Sequence, residues 1–173
     1  DSLIHIVGRD AIRPYGGTNV PFLTTREMFA IKSKNNEALR ARYRAGDSRE
    51  RAAVVSQLDK QPLPEIAQVD QDPALSDIEW HFDNRQLCAL IQGVADLPLM
   101  SVNPGVASPS QWKRIAYKGG SDWGVISMTT WLEAKNGNRY CVSASWNNSK
   151  AAVVETTFSA IYTSVLATLA GMK

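Results

Sequence analysis

The sequence predicts an α+β fold in which helices come first, an antiparallel sheet follows, and a C-terminal helix closes the sheet. Capping residues and Gly or Pro stops mark helices in the first part of the chain. Between residues 113 and 146, β-branched and aromatic runs indicate strands, and beyond Ala151 the apolar spacing becomes helical. With 173 residues, 44% of them hydrophobic, the chain is long enough for one domain with a sizeable core.

The helices of the first part are predicted from their ends. They span about residues 25–45, 49–58 and 76–94. The expected N-caps are Thr24 or Thr25 for the first, Asp47 or Ser48 for the second, and Ser76 for the third. Gly46 is expected to end the first helix.

The second part is predicted to hold the sheet and the closing helix. The strands are expected at residues 113–118, 125–132 and 139–146, and Asn136-Gly137 indicates a type I′ hairpin turn between the last two. The run 147–149 offers an N-cap for the C-terminal helix. The helix should bury one apolar stripe, made of Val154, Phe158, Ile161, Tyr162, Val165 and Leu169.

The strongest functional signal is the run Lys118-Gly119-Gly120-Ser121, expected at the end of the first strand. Glycine lets backbone N–H groups approach a ligand without interference from a Cβ atom. An ammonium group beside such donors suits the negative charge that develops in acyl transfer. The alternative interpretation is an ordinary lysine at a strand end, followed by a turn.

A strand carrying K-G-G, an antiparallel hairpin and a C-terminal helix together resemble the end of the serine penicillin-binding protein and class A β-lactamase superfamily. Residues 103–118 resemble that family's approach to its K-[TS]-G triad. Residues 21–28 resemble the start of the helix after its Ω-loop, and residues 3–8 resemble the helix after its S-D-N motif. The resemblance therefore covers nearly all of the chain.

The resemblance implies a serine hydrolase that forms an acyl-enzyme with a β-lactam, peptide or ester, needs no cofactor, and works in the periplasm or outside the cell. Residues 1–105 would be a helical part and residues 106–173 the sheet part of one domain that is incomplete at its N-terminus. An N-terminal segment of the same protein would supply the nucleophile in S-x-x-K, and S-D-N. The implied catalytic groups are Lys118 and the backbone N–H of Ser121, and the substrate-binding residues are Gly119, Gly120, Trp123 and Asn19.

Two departures from the family pattern bear on the substrate. Gly119 stands where the family has a Thr or Ser hydroxyl for the β-lactam carboxylate, so that Ser121 or Ser127 would have to replace it. Residues 10–23 contain no glutamate to activate a deacylating water, and the nearby polar substitutes are Asp10 and Asn19. The literal S-x-x-K match at residues 110–113 is expected to be a solvated turn.

Other classes of function find little support. A net charge of +2 is too small to indicate nucleic acid, and there is no apolar run near 20 residues. No metal-ligand spacing is present, and the lone His5 and His81 are expected to be structural. Trp112 and Trp123 flank K-G-G and could line a cleft. An exposed, solvated face is expected for the arginines between residues 40 and 51, which are Arg40, Arg42, Arg44, Arg49 and Arg51.

The two cysteines, Cys88 and Cys141, are expected to be buried thiols. They could be bridged only if the helix of Cys88 packs on the face to which Cys141 points. Two other interpretations of the whole chain remain. It could be an inactive member of the same fold that binds cell-wall peptides or a partner protein, or an unrelated structural α+β domain.

Overall fold

The computed structural model describes residues 20–70 and 72–172. The predictions for His5, Asp10, Asn19 and the stretch 3–8 lie outside the described residues. The chain divides into two compact units, Asp1–Phe82 and Asp83–Lys173, called here the N-terminal and C-terminal units. The predicted division into residues 1–105 and 106–173 of one incomplete domain stays a prediction. In the described ranges, no helix has the length and apolar character needed to cross a membrane.

Within its described residues, the N-terminal unit contains three α-helices: α1 (Thr25–Lys32), α2 (Glu37–Ala45) and α3 (Ser48–Leu58). The predicted caps are confirmed at Thr24, which forms a capping box with Glu27, and at Asp47, which accepts from the backbone of Glu50. Short 3₁₀ turns occupy Lys34–Asn36, Ile66–Gln68 and Pro73–Ile78. The helices enclose a core in which the fully buried side chains are Ile31, Val54 and Leu58.

The prediction of one helix from 25 to 45 is wrong, because the chain turns sharply at Ser33. The break is stabilised by side chains of the following segment. Arg40 Nη1 donates to the carbonyl oxygens of Ile31 (3.1 Å) and Ser33 (2.9 Å), and Asn36 Nδ2 donates to that of Ala30 (2.8 Å). These bonds satisfy carbonyls that a continuing helix would have satisfied with its own N–H groups.

The expected solvated arginine face is therefore wrong for Arg40, which is buried. Arg42 pairs with Glu50 and Arg44 with Asp77, each with an N···O distance of 2.6 Å. Arg51 lies over the ring of Tyr43 at 5.1 Å. Four of the five arginines thus hold elements of the N-terminal unit together.

The C-terminal unit confirms the predicted fold class: a helix, an antiparallel sheet of order β1-β2-β3, and a closing helix. Its elements are α4 (Asn84–Val94), β1 (Arg114–Asp122), β2 (Val125–Glu133), β3 (Arg139–Asn147) and α5 (Glu155–Gly171). The predicted helix start at 76 is wrong, because residues up to Ile78 form a 3₁₀ turn and Asp83 makes the capping box, with Gln86. Strand β1 is longer than predicted, so Lys118 lies inside the strand and not at its end.

The turn between β2 and β3 lies where Asn136-Gly137 predicted it, but it is not of type I′. Only Gly137 has a positive φ, 89°, whereas type I′ requires a positive φ at Asn136 as well. The N–H of Gly137 donates to the carbonyl of Ala134 at 3.0 Å. The connection therefore matches the longer hairpin loop in which a left-handed glycine follows a type I turn.

Helix α5 covers one face of the sheet, here called the α5 face. Phe158, Tyr162 and Leu166 are buried against a core that includes Ile126 and Leu132 of β2. The predicted stripe is right for the first two of these, and wrong for Val154, Ile161 and Val165, whose exposed fractions are 54%, 60% and 47%. Trp112 is also buried in this core, so it does not line a cleft.

The predicted cap of α5 is wrong as well. The helix begins later than expected, after Val154, with no side-chain cap. Asn148 Oδ1 instead accepts from the backbone N–H groups of Lys150 (2.9 Å) and Ala151 (3.1 Å). The side chain that could have capped the helix thus forms the turn that precedes it.

Helix α4 covers part of the opposite face, here called the α4 face. Ile91 and Ala95 pack there with Ala116 and Trp131. Cys141 lies on this face directly opposite Trp131, and it forms a disulfide with Cys88 of α4 at a Cα–Cα distance of 5.9 Å. The expectation of two free thiols is wrong, because α4 packs on the face to which Cys141 points.

We expect loss of this disulfide to lower the free energy of unfolding of the C-terminal unit by about 2–4 kcal/mol, since the bridge closes a long loop in the unfolded chain. The cysteines are 53 residues apart. Urea denaturation of the protein with and without reductant measures the effect. The double variant Cys88→Ala/Cys141→Ala should be equally destabilised and insensitive to reductant, and an unchanged denaturation midpoint in it would contradict the prediction.

A second prediction concerns alkaline pH. Burial raises the pKa of Tyr162 to about 12, while its hydroxyl lies 2.8 Å from the carbonyl oxygen of Val142. Above the ordinary pKa of 10.0, unfolded chains lose this proton and the folded protein keeps it, so stability falls as pH rises from about 10 to about 12. At pH 11 the Tyr162 contribution to this loss is on the order of 1 kcal/mol. Denaturation of Tyr162→Phe over the same pH range should show a shallower decline, and equal slopes would refute the assignment.

Candidate functional site

The sheet register brings Lys118 and Gly120 together with hydroxyl groups of the neighbouring strands. Lys118 pairs with Thr129, and Thr129 with Ser143. One step along, Gly120 pairs with Ser127, and Ser127 with Ser145. Because alternate residues of a strand point to opposite faces, both rows lie on the α4 face. These residues, together with Asn84, are called here the polar rows.

Hydrogen bonds join the polar rows into one network. Thr129 Oγ1 and Ser143 Oγ are 2.9 Å apart, and Ser145 Oγ donates to Ser127 Oγ at 3.0 Å. Asn84 Oδ1 can accept a hydrogen bond from Ser143 Oγ (3.2 Å) and from Ser145 Oγ (3.3 Å). The network joins Asn84, the first residue of α4, through β3 to Ser127 and Thr129 of β2.

The position of Asn84 follows from the spacing of residues along α4. Asn84, Cys88, Ile91 and Ala95 recur at helical intervals and share one face of the helix. The last two pack on apolar residues and Cys88 is bridged to the sheet. The first turn of α4 is thereby held over β3, where the face becomes polar.

Lys118 is exposed at the unpaired edge of the described sheet. Its ammonium group donates to the carbonyl oxygen of Gly119, and among the described residues it forms no ion pair with a carboxylate. At Gly120, a Cβ atom would meet no heavy atom within 4 Å, so there is open space above this residue. The ammonium group of Lys118 therefore lies beside backbone at Gly120 that a ligand can approach.

Gly119 faces the other way, toward the α5 face and Tyr117. A Cβ atom at Gly119 would overlap the phenol group of Tyr117, with 2.8 Å to its Cζ atom. The same ring also packs against Gly105, where an added Cβ atom would lie 2.6 Å from Tyr117 Cδ2. Gly105 has a φ of +60°, in the left-handed region that favours glycine. Burial also raises the pKa of Tyr117. The space that Tyr117 occupies thus leaves no room for a side chain at position 119.

The two remaining described site predictions lie further from Lys118. Ser121 alternates with Gly120 and so belongs to the same face as Gly119, where it is exposed. Trp123 follows the end of β1 in the turn before β2, about 16 Å along the strand from Lys118 at the usual rise per residue. The structure does not bring Trp123 to the polar rows. The predicted roles of Ser121, Gly119 and Gly120 stay predictions.

The S-x-x-K match at residues 110–113 does not assemble a nucleophile and base. Ser110 lies in a 3₁₀ turn, where its hydroxyl is 3.0 Å from that of Ser108. Lys113 Nζ lies 2.5 Å from Glu133 Oε1, and its hydrogen bond and charge lower the pKa of that carboxyl. Lys113 is therefore engaged by Glu133, and Ser110 by Ser108.

Neither of two cavities in the described residues is lined by Lys118. In the C-terminal unit a cavity of about 450 Å³ lies at the other end of the sheet, between the β2–β3 turn and the end of α5. A polar cavity of about 240 Å³ lies in the N-terminal unit, beside Arg44, Arg51 and His81. Within the ranges the structure describes, no group of three or more His, Cys, Asp or Glu side chains could hold a metal ion.

Comparison with known proteins finds no matching protein-family model and no match among curated proteins. The site is therefore defined by its geometry alone. Sequence reasoning found Lys118, Gly120 and, as a possible substitute, Ser127. It missed Asn84, Thr129, Ser143 and Ser145, although hydroxyl residues at every second position of β2 and β3 were a visible signal.

The Tyr117 contact yields a prediction about position 119. Gly119→Ala should destabilise the C-terminal unit by about 1–3 kcal/mol, because its methyl group overlaps the phenol. Tyr117→Phe removes the hydroxyl and should recover part of that loss, which a double-mutant cycle measures by chemical denaturation. Gly120→Ala, which faces open space, is the matched control and should unfold like the wild type. Equal effects at 119 and 120 would show that Tyr117 does not restrict position 119.

Proposed function

We propose that the chain is the C-terminal part of a β-lactamase-like serine hydrolase that forms an acyl-enzyme with a β-lactam, peptide or ester. The observation that carries this proposal is the polar surface of the α4 face. There an exposed lysine and a glycine under open space adjoin two rows of hydroxyl groups. Such a surface can hold an anionic acyl compound in extended form along the edge strand.

Each group has a separate task in this proposal. Lys118 attracts the acidic group of the substrate and stabilises negative charge that develops during acyl transfer. Gly120 lets the substrate approach the strand, because no side chain occupies the space above it. The backbone N–H of Ser121 would serve the oxyanion, as the family resemblance implies.

The nucleophile would come from a segment of the same protein outside this chain. Acyl-enzyme chemistry needs a nucleophile within hydrogen-bond reach of a base, and the described residues provide no such pair. The segment would supply S-x-x-K and S-D-N, as in the family that the sequence resembles. The disulfide supports a periplasmic or secreted location, since disulfides persist in oxidising compartments.

The absence of a nucleophile–base pair in the described residues also favours a second candidate function. In it, the protein binds cell-wall peptides or a partner protein without chemistry, through the same polar surface. Labelling of the complete protein by a fluorescent penicillin or a fluorophosphonate separates the two. Covalent labelling supports the hydrolase, and reversible binding without labelling supports the binding module.

Lys118 gives the quantitative test. In the complete protein, Lys118→Ala should lower kcat/KM for nitrocefin or a p-nitrophenyl ester by about 10²–10³, as expected when one contact to developing charge is lost. Lys135→Ala removes another exposed lysine, in the β2–β3 turn, and is the matched control. A normally folded Lys118→Ala protein with unchanged kcat/KM would remove Lys118 from the site. The 173-residue chain by itself should turn over neither compound.

A further inference from the structure

Two serines could replace the hydroxyl that Gly119 lacks, and the sheet geometry distinguishes between them. Ser121 shares the face of Gly119 and points away from Lys118. Ser127 lies on the α4 face, directly across from Gly120 and two residues along β2 from the pair Lys118–Thr129. Ser127 is only half-buried, so a ligand that contacts Lys118 can reach its hydroxyl.

The network behind Ser127 determines whether this hydroxyl can donate. Ser145 has one hydroxyl proton and two acceptors, Asn84 Oδ1 at 3.3 Å and Ser127 Oγ at 3.0 Å. If Ser145 donates to Asn84, Ser127 must donate to Ser145 and offers only lone pairs to a ligand. If Ser145 donates to Ser127, the proton of Ser127 is free to point outward.

An anionic ligand selects the second arrangement. A carboxylate is acceptor-only, and hydrogen bonds to charged groups are stronger than those between neutral groups. Binding of a carboxylate beside Lys118 would therefore turn the Ser127 proton outward and move the Ser145 proton from Asn84 to Ser127. Asn84 Oδ1 then loses one of its two hydrogen bonds and keeps the one that it accepts from Ser143 Oγ at 3.2 Å.

We propose that Ser127 donates its hydroxyl to a ligand carboxylate held by Lys118, and that Asn84 is the positioning residue that controls this donation through Ser145. The inference rests on the proposed function, and it defines the ligand as an acyl compound with a carboxylate close to its acyl group. Asn84 acts only through Ser145 and does not touch the ligand. The disulfide one turn further along α4 keeps Asn84 over β3.

The probe for this proposal is N-acetylglycine, with its neutral methylamide as the matched control. Titration into the ¹⁵N-labelled 173-residue chain is followed by the amide signals of residues 118–129. N-acetylglycine should shift these signals in a saturable way, and the methylamide should not. Ser127→Ala should weaken binding about tenfold, the loss expected for one hydrogen bond to a charged group. Ser164→Ala, on α5, should leave binding unchanged.

Two substitutions of Asn84 test its positioning role, because they should change the affinity for N-acetylglycine differently. Asn84→Asp introduces a stronger acceptor, which retains the Ser145 proton, and should weaken binding about tenfold. Asn84→Ala removes the competing acceptor and should leave binding equal or tighter. A purely structural role would make both variants weaker. Asp is also favourable in the first turn of a helix, so the first variant should fold.

The new carboxylate could also repel the ligand directly, and a double-mutant cycle separates the two effects. In the Ser127→Ala background, Asn84→Asp should weaken binding by much less than tenfold, because there is no Ser127 proton left to control. Full additivity would overturn the role of Asn84.

The outcomes separate this proposal from the proposed function. Binding that depends on Lys118 but not on Ser127 would overturn the inference and leave the hydrolase proposal standing. Equal shifts with the methylamide would overturn carboxylate recognition. No saturable binding of N-acetylglycine to a chain with an intact disulfide would overturn the inference, whereas the hydrolase proposal is decided by covalent labelling of the complete protein.

Discussion

The packing of α4 on one face of the sheet is the constraint on which the C-terminal unit depends. Apolar contacts of Ile91 and Ala95 fix one end of the helix, and the Cys88–Cys141 bridge fixes its middle. The first turn then has one available position, over β3, where Asn84 meets Ser143 and Ser145. Because the helix stops covering the sheet at this point, the remaining part of the face stays open, and Lys118 and Gly120 lie within that part.

Alternate residues of a single strand lie on opposite faces of the sheet, one packed and one open. Along β1, Tyr117 and Gly119 belong to the packed α5 face, and Lys118 and Gly120 belong to the open one. The absence of a side chain therefore has a different structural consequence at each of the two glycines. Gly119 yields space to the Tyr117 ring inside the unit, whereas Gly120 leaves space above the sheet. The side-chain hydroxyl nearest to Gly120 on the open face belongs to Ser127, which pairs with Gly120 across the two strands.

Much of the fold was predictable because its signals are local. Strands β2 and β3, the caps Thr24 and Asp47 and the end of α4 depend on residues close in sequence, and they were predicted correctly. The errors came where a distant side chain decides the conformation. Arg40 breaks the first predicted helix by binding carbonyls seven and nine residues earlier. Asn148 is used in a turn and so does not cap α5, and nothing in the sequence ranks these two uses of an asparagine.

The sequence by itself determined the α+β class, the order of the elements and the candidate run from Lys118 to Ser121, because composition, periodicity and capping act over a few residues. Only the tertiary structure decided which of these residues share a surface. Alternation along β1 keeps Ser121 on the face opposite to Lys118 and Gly120. Strand register places Ser127 directly across from Gly120, and a shift of one residue would move Ser127 to the other face. The packing of α4 likewise decided that the two cysteines form a bridge and that Asn84 joins the site. Both outcomes depend on contacts between segments more than 50 residues apart, which no local pattern encodes.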